Sequence, residues 1–420
     1  MRKNVKKVVI AFVVGVFSIF SLGAVVQAED YENGNESPVW SSNVVHTDEN
    51  GAVVLDWFYV PPTVDGVQPT VSYEIQFDDE KKFVDATTFT TAENIYTLTK
   101  KQFGKNGGRR YVRLRSVLTD ASGVVTYSEY SKVREVVYVK INKTNFPGLY
   151  KLLKNGGQYT SLDGIEKIVY DTDGDGWMNP DECQSVFMIS TEDTYKKKNG
   201  KNVLIKATDV SSMTGIAYFP NVTSVSLDRY SGAKMDLSKN RVNSVNVRGI
   251  KTKTFTLIAP IAQTVLLEGD YEAKITKLDI SKCNKAVDVW LYGSNGTKTL
   301  KLPSNKKNLK VLSISDCSLS TLNMNAYTNL QQLYLYKTSL KSLKVNKCKN
   351  LRYLYFYYCE KIKSVDVSAN KKLRGMDIYK TKSLKKNNVK KYKKTKLTVD
   401  KGKWWYDTDA YKEDMKHLYD

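Results

Sequence analysis

Between Leu309 and Thr381 one spacing of core-type residues returns four times, and it leaves this stretch few ways to fold. Leu309-x-x-Leu312-x-Ile314-x-x-Cys317 recurs as Leu330-x-x-Leu333-x-Leu335-x-x-Thr338, Leu351-x-x-Leu354-x-Phe356-x-x-Cys359 and Leu373-x-x-Met376-x-Ile378-x-x-Thr381, at intervals of 21, 21 and 22 residues. Weaker turns precede it at Val222/Val225/Leu227, Val242/Val245/Val247, Ala262/Val265/Leu267 and Ala286/Val289/Leu291, so eight coils are expected, the first four degenerate. A second short extended block ends the coils, as in Leu278-Asp-Ile280, Leu300-Lys-Leu302, Leu343-Lys-Val345 and Val365-Asp-Val367. A unit this short cannot bury its own leucines, whereas stacked units share a continuous core. Self-similarity at this period therefore predicts a solenoid.

The L-x-x-L-x-L-x-x-C/T block resembles the leucine-rich-repeat consensus, whose last position is usually Asn or Cys and bonds the backbone of the turn. The resemblance implies a right-handed solenoid over residues 206–395. It also orders the cysteines. Cys317 and Cys359 take the same position two coils apart, about 10 Å at ~4.8 Å per coil, which exceeds the ~7 Å that a disulfide tolerates between Cα atoms. Cys283 and Cys348 share another column, three coils apart. With Cys183 they make an odd set of five, read here as buried, reduced, structural thiols.

Residues between the core positions must face outward from such a strand. Just after the third core residue stand Tyr292, Ser315, Tyr336, Tyr357 and Tyr379; just before it stand Trp290, Ser313, Tyr334, Tyr355 and Asp377. Arg352, Tyr353, Tyr358 and Arg374 lie beside them. The expectation is an exposed double aromatic stripe, and exposed rings cost solubility unless they stack on a ligand or on one another. Two readings stay open: a recognition face for a protein or glycan, or a self-stacking tyrosine ladder that stiffens the sheet.

Upstream, Asp171-Thr-Asp173-Gly-Asp175-Gly176-Trp177-Met178-Asn179-Pro-Asp-Glu182 fits D-x-[DN]-x-[DN]-G-x₅-E at every ligand position. Calcium takes six to eight oxygens at ~2.3–2.6 Å. Asp171, Asp173 and Asp175 would converge on it, Gly176 would permit the sharp turn, and the Trp177 carbonyl would point inward. Asn179 would act directly or through water, and Glu182 would close the site. Leu162, Ile165, Ile168 and Val169 fall at helical spacing before the loop, and Val186 and Phe187 could anchor a short helix after it. Ile141-Asn-Lys-Thr-Asn-Phe146-Pro147, followed by a helical Leu149/Leu152/Leu153 stripe, opens the unit. This opening with one EF-hand-like loop resembles the N-terminal cap of secreted leucine-rich-repeat proteins of Gram-positive bacteria. Residues 141–205 are therefore expected as a helical cap holding a structural calcium.

From about Ser37 to Val139 the chain alternates at period two between turns at Pro61-Pro62, Asp65-Gly66 and Gly107-Gly108. Val53, Leu55 and Trp57 share one face; Val71, Tyr73, Ile75 and Phe77 another; Val112, Leu114 and Ser116 a third. Short strands so spaced predict a β-sandwich. The strands at Leu55-Asp-Trp57, Tyr73-Glu-Ile75, Tyr111–Val117 and Tyr127–Val133 resemble a fibronectin type III module over residues 37–140. Arg110 stands where that family usually keeps a tyrosine. A spacer role is favoured for it.

The chain begins with Arg2, Lys3, Lys6 and Lys7, an apolar run from Val8 to Val26 and a small-residue exit at Ala28. This reads as an export signal, residues 1–28, cleaved near Ala28. The run also satisfies the ~20 residues of an uncleaved anchor, but Glu29-Asp30 after Ala28 favours cleavage. The net charge is +21, and residues 341–403 alone hold 21 Lys/Arg against four acids. Such a block steers anionic partners, or simply solvates a face. Lys385, Lys386, Lys390, Lys391, Lys393, Lys394 and Lys396 are expected to lead into a cap over 396–420, with Trp404, Trp405 and Tyr406 covering the last apolar edge.

Only His46 and His417 are present, so Ser-His or Cys-His nucleophile systems have almost no material. A glycosidase needs two acids ~5–9.5 Å apart in a cleft, and no cleft-forming domain is left unassigned. The expectation is therefore a mainly β, secreted or cell-surface, monomeric binding protein and not an enzyme. It would carry Ca²⁺ and hold a host or bacterial surface protein or glycan. Retention on an anionic wall polymer is the alternative, and a carbohydrate-active enzyme a remote one. Nucleic acid is not expected as its purpose, nor membrane association after cleavage.

Overall fold

The computed structural model describes residues 37–399 apart from 64–65, 163, 199–200, 271, 273–274 and 294–295. The signal segment and the Trp404, Trp405 and Tyr406 cap lie outside the described residues. Among the described residues no helix is long and apolar enough to cross a membrane. The chain divides into two compact units, the first running to Val139 and taking in Asn179–Asp181, the second holding the remainder.

The first unit is built from antiparallel strands whose alternate residues are apolar. Val53–Phe58 pairs with Val39–Trp40, His46–Thr47 and Ile95–Leu98. In a second sheet Thr70–Asp78 lies between Thr87–Thr91 and Gly107–Thr119, and Gly107–Thr119 in turn pairs with Val125–Tyr127 and Arg134–Lys140. Val53, Leu55 and Trp57 from the first sheet and Tyr73, Ile75, Val112 and Leu114 from the second are buried. Their rings meet edge to face, Trp57 and Tyr73 with centroids 5.0 Å apart. Arg110 donates to the Phe103 carbonyl at 3.2 Å, tying its strand back to the upstream turn.

The second unit is a β-solenoid. Its main sheet has twelve strands. After an antiparallel hairpin, Gly157–Ser161 with Gly164–Ile168, every pairing is parallel. The register stacks like on like: Leu333 opposes Leu354, which opposes Met376, and Leu335 opposes Phe356, which opposes Ile378. All these residues are buried, as are their counterparts from Val225 to Leu291. The second blocks form short parallel ladders on the other side of the coil, at Lys234–Asp236, Thr254–Ile258, Lys277–Asp279 and Thr299–Lys301, at Thr321–Asn323 with Ser342–Lys344, and at Val365–Val367 with Val389–Lys391.

Each late coil leaves its inner strand through a residue with positive φ: Asp316 at 51°, Lys337 at 46°, Tyr358 at 55° and Lys380 at 45°. A non-glycine residue there costs roughly 1–2 kcal/mol. Continued ladder bonds offset part of that, since the amides of Asp316, Lys337 and Tyr358 donate to Tyr336, Tyr357 and Tyr379. Gly249 does the same work in an early coil, where a Cβ would stand 2.5 Å from the Asp228 carbonyl oxygen. On the far side a buried column carries Asn240, Cys283, Cys348 and Asn370. Asn370 Nδ2 donates to the carbonyls of Val345 at 2.9 Å and Cys348 at 2.8 Å in the preceding coil. Asn240 does likewise to Ile216 and Phe219.

Three departures from the sequence reading have physical causes. Residues 162–169 are no helix: Gly164–Ile168 is a strand, Leu162, Ile165 and Val169 are exposed, and Gly157 lies so close to the Ser190 carbonyl that a Cβ would stand 2.1 Å away. β-branched residues between glycines favour the hairpin. After the loop the helix is Pro180–Ser185; Val186 is buried behind it but Phe187 is exposed. The parallel sheet also extends beyond the eight expected coils, through Met188–Thr191 at one end and Lys396–Val399 at the other. Tyr150–Asn155 is helical, with Leu152 and Leu153 buried.

Candidate functional sites

In the acidic loop, Asp171, Asp173 and Asp175 each bring a carboxylate oxygen within 4.8 Å of the others. Gly174 and Gly176, at φ 72° and 81°, make the turn that allows it. The Gly176 amide donates to Asp171 Oδ2 at 3.0 Å, the Asp175 amide to Asp173 Oδ1 at 3.0 Å and the Trp177 amide to Asp175 Oδ1 at 2.7 Å. Asp171 Oδ1 is buried with no hydrogen-bond partner. Burial, then the neighbouring charges of Asp173 and Asp175, hold the Asp171 carboxyl above its usual range against the pull of the Gly176 amide.

Asn179 and Glu182 are buried at the end of the same loop. Glu182 folds back over its start, Oε1 accepting from the Thr172 amide at 2.6 Å and hydroxyl at 2.8 Å. All-oxygen donors, an unpartnered buried carboxylate oxygen and mutual repulsion fit a hard divalent cation, although exposed acidic groups of this kind also occur without one. Asp171, Asp173 and Asp175 are brought together; Glu182 engages the backbone beside them.

The aromatic residues fall in register as their spacing requires. Trp290, Ser313, Tyr334, Tyr355 and Asp377 form one column and Ser315, Tyr336, Tyr357 and Tyr379 another. A third, not picked out from the sequence, holds Asp288, Val311, Gln332, Tyr353 and Gly375. Its signal was present, two residues before the first column on the same face.

These rings stack. Trp290 and Tyr334 lie 5.7 Å apart at 14°, reaching over Ser313, and Tyr334 and Tyr355 lie 4.8 Å apart at 11°. Tyr353, Tyr355 and Tyr357 stack side by side at 6.1 and 6.3 Å. Contrary to the expected exposure, Tyr334, Tyr353, Tyr355 and Tyr357 are buried; Trp290, Tyr292, Tyr336, Tyr358 and Tyr379 are half-buried. Lys380 lies over Tyr358 and Tyr379, and Lys337 over Tyr336. Arg352 is half-buried at the edge and Arg374 exposed.

All five cysteines are free and buried. Burial pushes the Cys283 and Cys348 thiols up to about 12 and Cys317 to about 11, which disfavours the reactive thiolate.

No protein-family profile matches the chain, and no curated protein does. Among solved structures, the functional domain of InlJ from Listeria monocytogenes, described as including a cysteine ladder, is similar at 14% identity over 45% of this chain and 62% of that one, with a TM-score of 0.15. The match thus spans less than two thirds of the InlJ chain.

Proposed function

We propose that this chain is exported and works outside the cell as a non-catalytic binding protein, with its late coils holding a protein or glycan partner. The observation that carries this reading is the concentration of rings from Trp290 to Tyr379 on one face of a rigid parallel sheet, rimmed by Arg352 and Arg374. Tyr and Trp offer flat amphipathic area at low entropic cost, the chemistry of protein hot spots and sugar-binding platforms. Fold alone does not assign function, so the site carries the argument. In this reading the first unit is a fibronectin type III-like β-sandwich serving as a spacer. Residues 141–205 are the cap, whose EF-hand-like loop takes a structural calcium through Asp171, Asp173, Asp175, Trp177, Asn179 and Glu182.

A glycan and host-protein array tests it. Wild type should bind a defined set, and the Tyr336→Ala, Tyr355→Ala, Tyr357→Ala triple variant should lose it; unchanged binding would remove the face from the account. For calcium, the unfolding free energy in calcium should exceed that in EGTA by about 2.7 kcal/mol at a hundredfold excess over Kd. Asp173→Asn with Glu182→Gln should abolish the difference.

The exposed lysines of the last coils, among them Lys344, Lys363, Lys372 and Lys386, favour a second reading, electrostatic retention on anionic wall polymer. Retention of that kind should collapse at ~0.5 M salt, where screening acts within a few ångströms.

A further inference from the structure

In several coils the chain turns through positive φ two residues beyond the third core position. Glycine stands there in earlier coils, Gly249 at 57° and Gly293 at 62°, whereas three consecutive late coils hold Lys337 at 46°, Tyr358 at 55° and Lys380 at 45°. Glycine takes this conformation without steric cost and long side chains are disfavoured in it. Side chains retained at three successive turns therefore point to a use. They form one row, because the Lys337 and Tyr358 amides continue the ladder to the Tyr357 and Tyr379 carbonyls. Tyr358 is held edge to face between Tyr336, with ring centroids 5.5 Å apart, and Tyr379, at 5.7 Å. Lys337 Nζ lies 5.1 Å from the Tyr336 ring centre, and Lys380 Nζ 5.4 and 5.3 Å from those of Tyr358 and Tyr379. Both lysines are exposed and the three rings half-buried.

We infer that this row is the subsite of the late face that takes an acidic polysaccharide with one anionic group on every second sugar; this rests on the recognition reading given above. Two ammonium groups held against rings call for an anion at each. The Lys337 and Lys380 Cα atoms stand two strand spacings apart, ~10 Å, about the length of a disaccharide. An acidic peptide matches less well, since carboxylates on one side of an extended strand recur every ~6.6 Å. Between the two cations Tyr358 offers ring area to the C–H face of a sugar, and the hydroxyls of Tyr336, Tyr358 and Tyr379 are donors for sugar oxygens. Lys361 and Lys382, exposed in the same turns against Glu360, keep the surroundings basic. Asp316, one coil before Lys337 in the same row, would repel an anion and bounds the subsite there.

Calorimetric titration of the full chain with a hyaluronan oligosaccharide, which carries one carboxylate per disaccharide, tests this beside a neutral dextran oligosaccharide and poly-L-glutamate. Wild type should bind hyaluronan more tightly than either. Lys337→Gly with Lys380→Gly should weaken that binding about tenfold, as two partly exposed charge contacts allow. The same variant should keep the urea midpoint or raise it, because glycine suits the positive φ. Lys344→Ala with Lys363→Ala removes equal charge from exposed positions elsewhere on the late coils and should bind as wild type does. Equal loss in that control would overturn the inference in favour of diffuse charge, and tighter binding of poly-L-glutamate in favour of an acidic peptide. Equal binding of dextran, or no binding of hyaluronan, would overturn it outright. An array ligand lost with Tyr336→Ala, Tyr355→Ala and Tyr357→Ala but kept by the glycine variant would overturn the subsite and leave the recognition reading standing. A ligand kept by both would overturn the two together.

Discussion

The early and late coils of the solenoid share one backbone and turn opposite chemistries outward. In the early coils the outward layer is polar and charged. Arg229 pairs with Asp193 at 2.6 Å, Glu192 accepts from Ser226 at 2.8 Å, and Arg248 faces Glu268 at 3.9 Å. In the late coils the same columns hold stacked rings. Inward the two halves are alike, with Val225, Val245 and Val265 continuing into Leu312, Leu333 and Leu354. A parallel stack fixes what lies inside and leaves the outer layer free to vary, so the outer layer is where specialisation can be read.

The largest effects should ignore the division. Leu267→Ala and Phe356→Ala, both buried in the third core column, should each cost about 2–5 kcal/mol in urea unfolding. Tolerance of either would mean that the two halves do not share one core. Next come the asparagines of the far column. Asn370→Ala and Asn240→Ala each strip two buried carbonyls of their donor and should cost about 1–3 kcal/mol. Cys348→Ala, losing a weak sulfur donor to the Met324 carbonyl, should cost less.

Much of this was legible from spacing. Every third-column core residue from Leu227 to Ile378 was placed by the repeat, and so were the two aromatic columns beside it, but not the column of Asp288, Val311, Gln332 and Tyr353. The strands at Met188–Thr191 and Lys396–Val399 were not, because neither carries the leucine spacing; their place in the sheet comes from stacking on a neighbour. Residues 162–169 misled because three- and four-residue spacing in so short a segment also suits a hairpin, and Gly156, Gly157 and Gly164 were the better guide. The loop's composition was readable, but the turning of Glu182 onto Thr172 was not. Burial of Tyr334 and Tyr355 depends on ring packing between coils, which one-dimensional spacing does not contain.

Smaller effects should separate the halves. A double-mutant cycle on Tyr334 and Tyr355 should give a coupling of about 0.5–1.5 kcal/mol. Asn246 and Ser226, at the hydrogen-bond limit of 3.4 Å in the early coils, should give under ~0.5 kcal/mol.

The smallest effect is acid sensitivity of the early layer. Burial raises the Asp193 carboxyl, but hydrogen bonds from Arg229 and the Ala207 amide and the charge of Arg229 outweigh it, leaving a lowered value. A lowered folded value adds stability above the unfolded carboxylate range, near 3.8, and loses it as pH falls through the folded value. The pair is partly exposed, so the gain should stay below ~1 kcal/mol. Asp193→Asn should erase it near neutral pH and change little below the folded value, while Tyr355→Ala should cost the same at both.

The central claim is that recognition belongs to the late outer layer alone. It is tested most directly by titrating a ligand found on the array against two variants matched for stability. One carries Tyr336→Ala, Tyr358→Ala and Tyr379→Ala, the other Ser226→Ala, Asn246→Ala and Glu268→Ala. The first should bind at least tenfold more weakly, about 1.4 kcal/mol, and the second as wild type does. Equal loss in both, or loss in the second alone, would contradict the account.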